Sequence, residues 1–194
     1  MKKTTIAFAA ALALAAGSAQ AAPILLGEIS HDYGSASGKV NPGGNDNLSA
    51  DFVIVSDQST QRFNDLFDFS GLSYSNISSF QLTLSFAGTN NFLEDWRVRA
   101  GQSNYMPALT ITNGNVVTQT FTFGPSVDTF SSAVLAKTFS LWFAEEGPFA
   151  QSFRLYDAKL SVYGDAAVTR VPEPGTLALL GVSLLGGLAL RRKR

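Results

Sequence analysis

The sequence of 194 residues contains no cysteine and a single histidine, His31. The absence of cysteine excludes disulfides, thiol nucleophiles and cysteine-ligated metals. A Ser-His-Asp triad would have to use His31, and the chain has no Gly-x-Ser-x-Gly nucleophile elbow. We therefore expect His31 to be solvated or to cap a local backbone group, and we predict no catalytic residues.

Charge is sparse and unevenly distributed along the chain. Residues 22–170 hold 8 basic and 14 acidic side chains, a net charge of −6, whereas the whole chain carries only −1 because both ends are basic. An acidic body does not attract phosphate backbones. The composition therefore argues against nucleic acid as a partner.

The N-terminal residues have the layout of a secretory signal peptide. Two lysines near the start precede an apolar run from Ile6 to Ala16, and Ala19 and Ala21 form a small-x-small cleavage site. We predict that residues 1–21 are a signal helix, recognised by the export machinery and cut by signal peptidase after Ala21.

The C-terminal residues have the layout of a short membrane anchor. Residues 176–190 carry no charge, and as a helix they would span roughly 22 Å, at about 1.5 Å per residue. This is shorter than the hydrocarbon core of about 30 Å, but snorkelling side chains or local thinning can compensate. We predict a single transmembrane helix with the body in the periplasm. A basic stop-transfer group follows it, formed by Arg191, Arg192, Lys193 and Arg194.

The segment before this helix resembles a known sorting signal. It consists of Val171, Pro172, Glu173 and Pro174. Followed by an apolar span and a basic end, it is similar to the PEP-CTERM signal, and the resemblance covers residues 171–194. The resemblance implies recognition by an exosortase, a membrane protease-transpeptidase, clipping near the prolines, and delivery to the cell surface or the biofilm matrix of exopolysaccharide-producing bacteria. The prolines also keep this stretch extended and accessible.

The body between the two ends alternates apolar and polar residues with a period of two. Phe80 to Phe86 alternates without a fault up to Gly88, as expected for a half-buried strand. Asn113-Gly114 predicts a hairpin turn, and Asp157 a break or bulge in the last strand. The other segments predicted as strands are Phe52–Val55, Phe63–Phe69, Trp96–Ala100, Leu109–Ile111, Val117–Phe123, Leu135–Phe143 and Phe153–Val162.

About eight short strands with Gly, Asn and Ser turns predict an all-β fold for residues 22–170. We expect a single antiparallel β-sandwich, jelly-roll-like in connection, flanked by the signal helix and the transmembrane helix. Gly34 to Ser49 reads as a long surface loop, and no helical pattern of ten or more residues occurs in the body.

Phe63-Asn64-Asp65-Leu66-Phe67 matches the Phe-x-Asp-x-Phe pattern after which one PEP-CTERM subfamily is named. The match makes the body similar to the members of that group. It implies no particular activity, because the molecular role of the group is not settled.

The sequence establishes no cofactor, and calcium is the candidate that it offers, as a brace for oxygen-rich loops of a secreted sandwich. No EF-hand spacing occurs, and Asp and Asn also favour turns for their own hydrogen-bonding reasons. The candidate ligands are Asp46, Asn47, Asp51 and Asp157.

Paired carboxylates could make the body a glycosidase. The adjacent pairs are Glu94-Asp95 and Glu145-Glu146. Neighbouring residues of a strand point to opposite faces, so neither pair can flank one glycosidic bond unless it lies in a loop.

Exposed aromatic rings could stack on sugars, although any single tryptophan is more often part of a core. The leading interpretation is a non-catalytic structural or exopolysaccharide-binding protein. The alternatives are a polysaccharide hydrolase on the same fold and a body that only adds bulk to a matrix. The aromatic candidates are Trp96, Trp142, Tyr105 and Tyr156.

Overall fold

The computed structural model describes residues 22–43, 47–57, 62–89, 95–147 and 151–167. The elements in this part of the chain are β1 (Ile24–Asp32), β2 (Asn47–Leu48), β3 (Val53–Ser56), β4 (Asn64–Asp68), β5 (Tyr74–Ala87), β6 (Trp96–Ala100), β7 (Val117–Phe123), α1 (Phe130–Ala136), β8 (Thr138–Glu145) and β9 (Ser152–Ala166). The predicted signal peptide, the sorting motif and the transmembrane helix lie outside the described residues. Within the described ranges, no helix is both long and apolar enough to span a bilayer.

The larger of two antiparallel sheets is built around β9. On one side β9 pairs with β5, which pairs in turn with β7. On the other side of β9, its first residues pair with β3 and the rest of the strand pairs with β1. The short strand β2 pairs with the free edge of β3. The register against β5 shifts between Ser85 and Phe86, opposite Asp157 and Leu155. The irregularity predicted near Asp157 is therefore confirmed as a bulge within one continuous strand.

The smaller sheet has the order β4-β8-β6 and is also antiparallel. Its β6 strand shows the predicted alternation, with Trp96, Val98 and Ala100 buried and with Arg97 and Arg99 on the outer face. The apolar faces of the two sheets form one core, so the predicted antiparallel all-β body is confirmed.

Phenylalanine rings fill much of the space between the sheets. Phe80 of β5 has no exposed surface and lies 5.3 to 5.5 Å, centroid to centroid, from the rings of Phe69, Phe130 and Phe139. These residues belong to different elements, so Phe80 connects β5 to β8 and to α1. Tilted ring pairs at such distances are favourable beyond the area that they bury.

The Asn113-Gly114 turn is confirmed, but the strand predicted before it is wrong. Asn113 and Gly114 both have positive φ angles, 48° and 84°, as the turn signal requires. Leu109 to Ile111 is not a strand, because its backbone groups bond to separate partners rather than to one neighbouring strand. The Leu109 N–H donates to the Trp96 carbonyl, and the Thr110 carbonyl accepts from the Thr89 hydroxyl. The Gln119 amide accepts from the Thr110 N–H at 2.8 Å and donates to the Ala108 carbonyl at 3.1 Å.

Leu135 does not share the inward face of β8 with Phe139 and Leu141, and that prediction is wrong. It lies in α1, a helix of seven residues, with 87% of its surface exposed. The helix ends at Lys137, which is left-handed with a φ of 57°. This turn directs the chain into β8 one residue later.

The segment predicted as a surface loop, Gly34 to Ser49, lies at the edge of the large sheet. Its described part is held by backbone hydrogen bonds from Gly34 to Val40 and from Ser35 to Ser49, and it includes the short strand β2. Residues 44–46 are outside the described ranges.

Candidate functional site

A buried polar cluster joins the two sheets. Asp65 of β4 is only 8% exposed, and its Oδ2 atom lies 2.6 Å from Tyr33 Oη and 2.6 Å from His31 Nδ1. The other oxygen, Oδ1, accepts from the Leu66 N–H at 2.9 Å. The His31 ring stacks on Phe67 with a centroid distance of 4.3 Å. The expectation of a solvated or capping histidine is therefore wrong, because β1 turns His31 inward.

The contacts of Asp65, Tyr33 and His31 suit this cluster, called the lock below, to holding the two sheets together. Burial raises the pKa of the Tyr33 hydroxyl well above its usual value, and the nearby Asp65 carboxylate raises it further. Tyr33 therefore stays protonated, and its hydroxyl donates a hydrogen bond to Asp65 Oδ2. Charge-assisted hydrogen bonds of this kind are about twice as strong as neutral ones. The cluster also accounts for the Phe-x-Asp-x-Phe pattern, since Asp65 and Phe67 are the buried positions of β4 and Phe63, just before the strand, continues the same alternation.

An open groove lies on the opposite, solvent-facing side of the large sheet, with a volume of about 380 Å³. Polar side chains from four adjacent strands line it in register. One row, from β1 through β9 and β5 to β7, consists of Asp32, Asp157, Ser85 and Thr118. The next row consists of Ser30, Lys159 and Thr83, with Thr120 of β7 next to Thr83 at the margin of the groove.

Contacts between neighbours fix the orientation of these groove side chains. Ser85 donates to Asp157 Oδ1 at 3.0 Å, and the hydroxyls of Thr83 and Thr120 lie 2.9 Å apart. Lys159 Nζ lies 3.1 Å from Glu28 Oε1, which also accepts from Ser161. The Ser161 hydrogen bond and then Lys159 lower the pKa of Glu28. The groove thus presents hydroxyl, carboxylate and ammonium groups on rigid strands.

Two carboxylates face each other across the β1–β9 ladder in this groove. Asp32 and Asp157 are direct cross-strand partners, so their Cβ atoms are about 5 Å apart. Asp32 is bound by Lys39 at 3.2 Å, and Asp157 accepts from Ser85. Sequence reasoning missed Asp32 as a member of any site, because only the register of distant strands brings it to Asp157.

The predicted calcium ligands are only partly described. Asp157 lies in the groove, whereas Asp51 pairs with Lys39 at 3.3 Å. Asp46 lies outside the described residues, and Asn47 is described through its backbone pairing with Ile54. Among the residues that are described, no three His, Cys, Asp or Glu side chains gather as a metal site would require. Calcium binding stays a prediction.

The adjacent carboxylate pairs do not form a catalytic pair where they are described. Asp95 and Glu146 both contact Arg97, at 2.6 and 3.2 Å, and Glu145 accepts from the Gly147 N–H at 2.6 Å. Glu94 lies outside the described ranges. These contacts of Arg97 hold the start of β6 against the segment that follows β8.

The aromatic candidates fall into different environments. Trp96 is in the core, 3% exposed, with its ring 4.9 Å from Phe153. Tyr156 is half-buried at the bulge beside Phe52. Tyr105 is 46% exposed. Trp142 is half-buried on the outer face of the small sheet, and its indole N–H donates to Ser140 Oγ at 2.9 Å.

Comparison with known proteins identifies the tail. Residues 170–194 match the family described as the PEP-CTERM protein-sorting motif, so the resemblance seen in the sequence is confirmed and the chain carries this motif. No curated protein matches the chain. One similar solved structure is a carbohydrate binding module (CBM6cm-2) from Cellvibrio mixtus lichenase 5A in complex with cellotriose. It is 12% identical, with 71% of this chain and 98% of that chain covered, at a TM-score of 0.34. A likeness at this level establishes neither a common fold nor a common ligand.

Proposed function

We propose that the chain is an exported, exosortase-sorted protein of the cell surface or biofilm matrix, whose β-sandwich binds polysaccharide without cleaving it. The PEP-CTERM protein-sorting motif at residues 170–194 supports the export and sorting. The observation that carries the binding function is the polar groove on the outer face of the large sheet.

The groove has the chemistry that a sugar chain requires. Sugar hydroxyls both donate and accept hydrogen bonds, and the groove offers the acceptors Asp32 and Asp157, the donor Lys159, and hydroxyls that can do either. Neighbouring strands are about 4.8 Å apart, so a row of four strands spans roughly 14 Å. This length suits several consecutive units of a polymer, and the volume lies at the low end of the range for binding sites.

A hydrolase is the second candidate, because Asp32 and Asp157 lie opposite each other in the groove. A glycosidase needs one carboxyl as a proton donor and the other as a nucleophile or base. Here Asp32 contacts Lys39, and Asp157 accepts a hydrogen bond from Ser85. Both carboxylates are thus positioned to accept hydrogen bonds from a ligand rather than to react with it. Release of new reducing ends from a bound polysaccharide, lost in Asp157→Asn, would establish the hydrolase instead.

Asp157→Asn is expected to weaken binding of the producing organism's own exopolysaccharide by about tenfold or more, since a hydrogen bond to a charged group contributes about 1.5–3 kcal/mol. Isothermal titration with the exported protein measures this effect. Asp165→Asn, an exposed change near the other end of β9, is the matched control and should bind as the wild type does. Equal affinity of the wild type and Asp157→Asn would contradict a binding role for the groove. If the wild type binds no exopolysaccharide, the binding function is contradicted and the alternative of a body that only adds bulk to a matrix is favoured.

Replacing both Pro172 and Pro174 with alanine is expected to leave the C-terminal peptide attached, because alanine no longer imposes the extended backbone that the sequence predicts for the exosortase to recognise. Immunoblotting of membrane and released fractions, with tags on the body and the tail, measures the outcome. Pro107→Ala, a proline change in the body, is the control. A strain without the exosortase should behave as the double variant does, and clipping that persists in both would contradict exosortase sorting.

A further inference from the structure

The outer face of the small sheet presents a flat aromatic ring beside an arginine. Trp142 of β8 is the cross-strand partner of Arg99 on β6 and of Asn64 on β4. All three point away from the core, since the residues on either side of each along its strand are buried. Directly opposed side chains on one face of a sheet have Cβ atoms about 5 Å apart.

The indole ring of Trp142 is fixed in place. Its N–H donates to Ser140 Oγ at 2.9 Å, two residues earlier on the same face. Leu66, 55% exposed, is the cross-strand partner of Ser140 and extends the apolar surface next to the ring. A held indole flanked by an aliphatic side chain is a surface on which the apolar face of a sugar ring can pack.

Arg99 is oriented, and no carboxylate among the described residues neutralises its charge. Its Nε donates to the Ser103 carbonyl at 3.1 Å, which holds the guanidinium by one edge. None of the carboxylates in the described part of the chain lies within salt-bridge distance of Arg99. The two terminal nitrogens of its fork are therefore suited to a carboxylate, which a guanidinium binds through two parallel hydrogen bonds.

Arg97, on the same strand as Arg99, has a structural role, because acidic side chains pair with it. It lies two residues earlier on the same face, and it contacts Asp95 at 2.6 Å, Glu146 at 3.2 Å and the Met106 carbonyl. Its charge is matched within the protein. The contrast singles out Arg99 as the cation on this face that a ligand can use.

We infer that the face formed by Trp142, Arg99 and Asn64 is a second glycan site, selective for uronic acid units. The sugar ring packs on Trp142, its carboxylate takes the terminal nitrogens of Arg99, and Asn64 bonds a ring hydroxyl. The site lies on the opposite outer face from the groove and does not depend on it.

Tetragalacturonate and its methyl ester are the matched probes, because esterification removes the charge and keeps the sugar ring. Fluorescence titration of the exported chain reports binding directly, since Trp142 is one of only two tryptophans and Trp96 is buried. The wild type should bind the acid about tenfold more tightly than the ester, the ratio that one charge-assisted pair provides. Equal binding of the two probes, or no binding, would overturn the inference.

Variants separate the contributions of the two side chains. Arg99→Met should bind acid and ester alike, Arg99→Lys should keep a reduced preference, and Arg154→Met on the other sheet should leave the preference unchanged. Isothermal titration replaces fluorescence for the Trp142 variants, which lack the reporter. Trp142→Ala should lose both probes, whereas Trp142→Phe should keep affinity for both. A preference that survives in Arg99→Met would overturn the site.

Asp157→Asn distinguishes this face from the groove. The variant should bind tetragalacturonate as the wild type does, whether or not the groove binds any glycan. A loss of uronate binding in Asp157→Asn would place the acid in the groove and overturn the second site.

Discussion

Asp65→Ala is expected to lower the free energy of unfolding by about 3 kcal/mol, because it removes two short charge-assisted hydrogen bonds and leaves a buried Tyr33 hydroxyl without its acceptor. For a body of this size the melting temperature should fall by roughly 10 °C. Thermal and urea unfolding followed by circular dichroism measure the change. Asp68→Ala, an exposed aspartate on the same strand, is the control and should change stability by less than about 1 kcal/mol.

A double variant tests whether the cost comes from the unpaired Tyr33 hydroxyl. If it does, Tyr33→Phe added to Asp65→Ala should recover about 1 kcal/mol, since removing both partners costs less than removing one. Simple addition of the two single effects would show that Asp65 and Tyr33 are not coupled. A loss below about 1 kcal/mol for Asp65→Ala alone would contradict the lock itself.

Phe80→Ala should be still more damaging, at about 4 kcal/mol, because the removed ring leaves a cavity at the meeting point of three other rings. The same unfolding measurements apply. Phe80→Leu keeps most of the volume and should cost clearly less. Gln81→Ala, the next residue on the outer face of β5, should fall within about 0.5 kcal/mol of the wild type. Similar losses for Phe80→Ala and Gln81→Ala would mean that the packing around Phe80 is not what holds the sheets together.

The alternation of single strands was readable from the sequence because it is local. Phe80 to Phe86 and Trp96 to Ala100 bury the residues that a period of two selects, and the bulge lies at the predicted aspartate. The two errors have local causes as well. The seven residues of α1 are too few to show a helical period. The segment before the turn bonds to side chains of Gln119 and Thr89 and to one carbonyl of β6, instead of to a strand along its length.

The sites could not be read in the same way, because both depend on register between distant segments. His31 and Asp65 are 34 residues apart, and the groove row combines residues from four strands. The sequence did show Asp65 in line with Phe63 and Phe67 on the apolar face of its strand. An aspartate in such a position requires partners from another element, and that signal pointed to the lock without identifying Tyr33 or His31.

The place of β9 in the large sheet has a mechanical consequence. This strand precedes the sorting motif along the chain, and its groove residues Asp157 and Lys159 lie in its first half and at its midpoint. It is bonded to β1 on one side and to β5 on the other. Tension between a glycan held in the groove and a tethered tail would run along the strand, perpendicular to its ladder hydrogen bonds. Many of those bonds would then bear the load at once in shear, rather than opening one after another as in unzipping. A body loaded in this way resists unfolding better than one whose strands are separated one hydrogen bond at a time.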